Sequence, residues 1–94
     1  MIIIIGDPIG TASMTALRKY RAEDIWVWEN DSRHIYAIKQ VCARINVVTD
    51  LQPLIDDNMK FDVVIGNPPY QDSSNTDNAQ NLWTHFWRKA LELA

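Results

Sequence analysis

The 94-residue sequence holds one cysteine, Cys42, so neither an internal disulfide nor a cysteine metal cluster is possible. Long apolar runs are also missing. None approaches the ~20 residues that span a membrane. The opening MIIIIGDP lacks the basic flank and the apolar length of a signal peptide, so a cytoplasmic protein is the expectation. Positive charge is not in excess either, the formal net charge being −3. Proteins that grip DNA by its phosphates present a basic face, so DNA contact by this chain calls for an additional basic domain. Repeats, low-complexity tracts and linkers are lacking, and the length suits one small domain with a modest core. His34 and His85 lie in helical patterns without the His-and-carboxylate spacing of a metal site. They read as surface or helix-packing residues, and no metal is expected.

Four short apolar runs are present: Ile2 to Ile5, Ile25 to Trp28, Ile45 to Val48, and Val63 to Ile65. Each is too short for a helix and rich in β-branched residues or Trp. Strict polar alternation is absent from them, as in strands of a parallel sheet covered on both faces. Helical patterns lie between. Thr11 to Tyr20 gathers Ala12, Ala16, Leu17 and Tyr20 on one side. Ser32 to Arg44 spaces Ile35, Ile38, Val41, Cys42 and Ile45 by three and four, with Asp31 or Ser32 as N-cap. Leu51 to Lys60 reads as a loop or short helix, and a last helix covers about Asn78 to Leu93. The pairs Trp26/Trp28 and Trp83/Trp87 read as core or interface, and Cys42 as core. Strands alternating with helices predict an α/β fold, a mostly parallel sheet of about four strands with flanking helices. Ligands of such sheets bind beyond the carboxyl ends of the strands.

The four strand ends differ in what they offer. Gly6-Asp7-Pro8-Ile9-Gly10-Thr11 follows the first strand and opens a helix. Small residues there either admit a ligand to the backbone or make a tight turn. Glu29-Asn30-Asp31 follows the second, about 20 residues on, where Rossmann-type sites place the carboxylate that binds ribose hydroxyls. Glu29 suits the ligand and Asp31 the cap. Asp50, after the third strand, suits an exocyclic adenine amine or a plain loop.

Past the fourth strand comes Asn67-Pro68-Pro69-Tyr70. With residue types near 5% of usage, a given tetrapeptide falls at on the order of one in 100,000 positions. Two prolines donate no backbone hydrogen bond and fix φ, so the ladder stops and the carbonyls are pre-aimed. The Asn67 side-chain oxygen and the Pro68 carbonyl suit the two N–H bonds of a planar amine. Drawing that nitrogen toward a tetrahedral shape frees its lone pair, while Tyr70 offers a face for a planar base. Such a site positions and polarises without a general base, and so suits attack on a strongly electrophilic methyl group.

Gly66-Asn67-Pro68-Pro69-Tyr70, with Glu29 and Asp50 at earlier strand ends, resembles the S-adenosylmethionine-dependent amino-methyltransferases. Within them it is most similar to the N6-adenine DNA methyltransferases of restriction-modification systems and phages. Gln71, the polar stretch Asp72 to Asn78 and LWTHFWRKALEL are similar to the DNA branch. The resemblance implies a partial Rossmann-like methyltransferase fold in residues 1–94, a single truncated domain without later strands or a target-recognition domain. It implies that Gly6, Asp7 and Gly10 line the methionine and ribose side of S-adenosylmethionine, that Glu29 binds the ribose, and that Asp50 binds the adenine amine. Asn67, Pro68, Pro69 and Tyr70 become the catalytic motif around a flipped-out base.

The sequence departs from the family at Ala12 or Ser13, where a further glycine is common, and at Asn30, where an apolar residue is usual. In the family's strand order (third, second, first, fourth, then fifth) the fourth strand is covered by a fifth; left bare, it is a pairing liability. That implies a homodimer, or a complementing subunit, joined at this strand or at the C-terminal Trp helix. Two alternatives stand beside the DNA enzyme: an inactive remnant serving as a homodimeric or partner-binding module, and a fragment of a glutamine or ribosomal RNA amino-methyltransferase.

Overall fold

Four consecutive isoleucines, Ile2–Ile5, form strand β1 in the computed structural model, which describes residues 1–66 and 87–94. Successive strand side chains point to opposite faces, so β1 supplies both layers of the core. Ile2 and Ile4 pack with Ala16, Ala22, Ile25, Val27, Ile38 and Ile45 on one side. Ile3 and Ile5 pack with Leu51, Leu54, Phe61, Ala90 and Leu93 on the other. Burying one isoleucine side chain stabilises by about 1.5–3 kcal/mol.

Strand β2 is Ile25–Trp28, β3 is Asn46–Val48 and β4 is Val63–Gly66. Every pairing is parallel, in the order β3-β2-β1-β4. Helices α1 (Thr11–Ala16) and α2 (Ser32–Val41) lie between β1 and β3 in the chain, and α3 (Gln52–Asp56) precedes β4. The α/β expectation holds, with about four parallel strands and flanking helices. So does the strand order that the resemblance implied. The Trp26 ring meets Phe61 edge-on at 6.2 Å, and Trp28 and Trp87 pack on the same layer, in line with a core role for these indoles.

Boundaries moved where local chemistry decided them. Helix α1 stops at Ala16 and continues to Tyr20 only as turns, in which the Arg18 and Lys19 amides donate three residues back. Helix α2 ends at Val41 because Cys42 is extended (φ −161°), which turns Ile45 into the core ahead of β3. A short 3-10 turn, Ala22–Asp24, precedes β2. Of the last helix, residues 87–91 are described and helical; Trp83 and His85 lie outside the described residues. Among the described residues β4 pairs with β1 alone. Asp31 is the N-cap of α2, its carboxylate accepting from the Arg33 amide at 2.9 Å. The Arg33 guanidinium beside it holds the Asp31 carboxyl well below the usual carboxylate range.

Candidate cofactor site at the carboxyl edge of the sheet

Parallel pairing brings the ends of all four strands to one edge. The ladder runs on past the strands: Gly6 N donates to the Trp28 carbonyl and Glu29 N to the Val48 carbonyl, each at 3.0 Å. Gly6, Glu29 and the Thr49-Asp50 pair therefore stand side by side in register. On the other flank Gly66 pairs with Ile5. Asn67 is next in the chain. The motif Asn67, Pro68, Pro69 and Tyr70 lies outside the described residues.

The glycine turn is built around Asp7, which is 1% exposed. Its carboxylate accepts from the amides of Ala12 (3.1 Å) and Ser13 (2.9 Å) and from the Ser13 hydroxyl (2.5 Å). Gly10, the N-cap of α1, has no side chain for the first amides of the helix, so Asp7 does this from three residues further back. Ser13, fully buried, fills a departure from the family pattern with a hydroxyl that Asp7 engages. Gly10 is left-handed (φ 80°), and a Cβ there would stand 2.8 Å from the Val41 Cγ2. Close packing of α1 on α2 therefore requires its smallness.

Among the described residues Glu29 is the other buried carboxylate, 5% exposed. Oε2 accepts the Asp7 amide at 3.0 Å, and Oε1 accepts the Asn30 amide at 3.2 Å. The structure thus brings Gly6, Asp7 and Glu29 together. A carboxylate has about four lone-pair sites, so acceptor capacity remains at Glu29, whereas Asp7 already holds three donors. Asp50 is separate and 65% exposed; it accepts the Gln52 amide at 3.0 Å, and Lys89 Nζ is 4.0 Å away.

A cleft of about 340 Å³ opens between the ends of β1 and β4, bordered by Gly6, Asp7, Thr11, Thr15, Ile65 and Gly66 among others. That is the low end of small-molecule sites. Gly10, Glu29 and Asp50 do not border it.

Two features escaped the sequence reading. His34, read as a surface or packing residue, places Nδ1 3.2 Å from Glu29 Oε1. Its position in the first turn of the helix that follows the Glu29 strand was the available signal. The Trp87 indole lies over Gly66, where a Cβ would be 2.5 Å from the ring. No local pattern marks that contact.

Among the described residues no helix is long and apolar enough to cross a membrane, and no cluster of His, Cys, Asp and Glu has the makings of a metal site. No curated protein and no solved structure is significantly similar to the chain. The family model of the Eco57I restriction-modification methylases, in contrast, matches residues 10–94, all but the first strand and part of the glycine turn. A parallel sheet with its buried carboxylates gathered at one edge accords with that match: the chain belongs to the Eco57I restriction-modification methylase family, and its function is that of a methyltransferase in restriction-modification.

Proposed function

We propose that the chain binds S-adenosylmethionine at the carboxyl edge of its sheet and serves methyl transfer to an exocyclic amine, adenine N6 in DNA. The observation that carries this reading is Glu29, a buried carboxylate at the end of β2 with a single hydrogen-bonded amide on each oxygen. A charged acceptor buried with spare capacity suits the ribose hydroxyls of a nucleoside, because charge-assisted hydrogen bonds are the stronger kind. Gly6 keeps the backbone open beside it, and Asp7 holds the turn in shape through Ala12 and Ser13. Asp50, exposed at the next strand end, is the acceptor for the adenine amine.

The cofactor supplies a methyl group on a sulfonium, electrophilic enough to need no general base. The chain's part is to prepare the target nitrogen. Asn67 and the Pro68 carbonyl accept its two N–H bonds, Pro69 keeps that carbonyl rigid, and Tyr70 stacks on the base. The lone pair so exposed would be held toward the sulfonium methyl group of the bound cofactor, and the N–H proton given up on transfer would pass to solvent. The base has to leave its duplex for this. With a net charge of −3, the phosphate grip comes from a basic surface on another segment or subunit.

Calorimetric titration with S-adenosylhomocysteine tests the reading. The expected result is saturable binding, weakened by Glu29→Ala on the order of ten- to a hundred-fold, the loss of hydrogen bonds to a charged group. Circular dichroism establishes that the variant is folded. Absence of binding at millimolar ligand would sink the proposal.

A further inference from the structure

We propose that His34 is a positioning residue for ribose recognition, acting through Glu29; this rests on the cofactor reading above. His34 stands in the first turn of α2, three residues after the capping Asp31. Its Nδ1 is buried, lies 3.2 Å from Glu29 Oε1 and makes no aligned hydrogen bond. Nε2 is 3.6 Å from Asp31 Oδ2, a carboxylate held mainly by Arg33.

A buried ring nitrogen left unpaired is unfavourable, and the terminal torsion of a glutamate is broad. A small rotation of Glu29 aligns the two groups, with Nδ1 carrying the proton that it needs to face a carboxylate. Oε1 then holds the Asn30 amide and the imidazole, whereas Oε2 holds the Asp7 amide alone. His34 thereby turns Oε2, the oxygen with the free lone pair, to the ribose. Neither a packing role nor a surface role requires a buried Nδ1 at this distance from Glu29, the buried carboxylate with spare capacity among the described residues.

The test is a titration of wild type, H34L, H34Q and H34N with S-adenosylhomocysteine and with its 2′,3′-dideoxy analogue. Asparagine can place a donor near the Nδ1 position; leucine cannot, and glutamine carries its amide one bond too far. The expected result is that H34L and H34Q bind S-adenosylhomocysteine on the order of ten-fold more weakly, that H34N restores binding, and that affinity for the dideoxy analogue is unchanged throughout. Should H34L fail to fold, H34Q against H34N decides the matter. Equal weakening of both ligands would mean a merely structural histidine and would overturn the proposal, as would no change in either. Failure of the wild type to bind S-adenosylhomocysteine would overturn the cofactor reading and this one with it; binding by the wild type without the His34 pattern overturns this one alone.

Discussion

Replacing Asp7 by alanine is expected to remove about 3–5 kcal/mol of stability, read as a shift of the urea midpoint. The loss has three parts. The amides of Ala12 and Ser13 and the buried Ser13 hydroxyl all lose their acceptor. Each unsatisfied buried donor costs about 1–3 kcal/mol, and a lost N-cap typically costs about 1 kcal/mol. Water entering the gap recovers part, which brings the sum to the stated range. Domains of this length hold only about 5–14 kcal/mol in all, so D7A is left near its unfolding threshold. Asp7→Asn keeps one acceptor oxygen and falls between, while Ser13→Ala, which removes only the hydroxyl, loses about 1 kcal/mol. A D7A chain within 1 kcal/mol of wild type would show that α1 does not depend on its distant cap. The ordering also separates roles. Asp7 belongs to the frame of the turn, so its substitution registers in stability, whereas Glu29→Ala registers in ligand affinity.

Gly66→Ala is the second large effect, expected at about 2–3 kcal/mol. An added Cβ would stand 2.5 Å from one atom of the Trp87 ring and 2.9 Å from the next, distances that real Cβ contacts do not occupy. Either the indole shifts out of its packing beside Ile3, Ile5 and Ala90, or β4 moves relative to β1. Overpacking of this kind costs about 1–3 kcal/mol. Trp87→Ala is itself destabilising, because a large ring leaves a core layer. In that background, however, the clash is gone. The double variant is therefore expected to lose less than the sum of the single ones by about 1–2 kcal/mol, within the usual coupling of residues in contact. Four urea titrations give the cycle. Additive losses would show that Trp87 does not press on Gly66. The pair matters beyond stability because Gly66 directly precedes Asn67, the first residue of the proposed catalytic motif.

The strands were legible because each is a short β-branched run flanked by helical spacing, and the parallel arrangement because those runs do not alternate. The cap at Asp31 was legible as well, being a local signal two residues from the amide it receives. What escaped was long-range or irregular. Asp7 caps from five and six residues away, outside the usual N-cap spacing, so its capping role went unread beside the cofactor-side place that the resemblance implied. His34 meets Glu29 across the junction of β2 and α2, five residues apart in the chain. Trp87 reaches Gly66 across a separation of more than 20 residues in the chain. At Cys42 the apolar spacing continues smoothly through the end of α2, and the need to bring Ile45 into the sheet overrides it. For the site, residue types at strand ends were readable, while their division into free and engaged carboxylates is decided by contacts across the glycine turn.

The place of β1 between two partners bears on how the sheet opens. Its amides and carbonyls are paired on both edges, to β2 and to β4, whereas, among the described residues, β3 is paired to β2 alone and β4 to β1 alone. Regions with fewer shared contacts open at lower free energy, in cooperative units smaller than the whole domain. The amides of β1, and of β2 between β1 and β3, therefore exchange with solvent last, and those of β4 earlier. Gly6 and Glu29 belong to the slow unit, and Gly66, the threshold of Asn67, to the fast one. On the function proposed above, nucleoside recognition and target-amine recognition would ride on parts of the sheet with different lifetimes, and the first would outlast transient separation of the second.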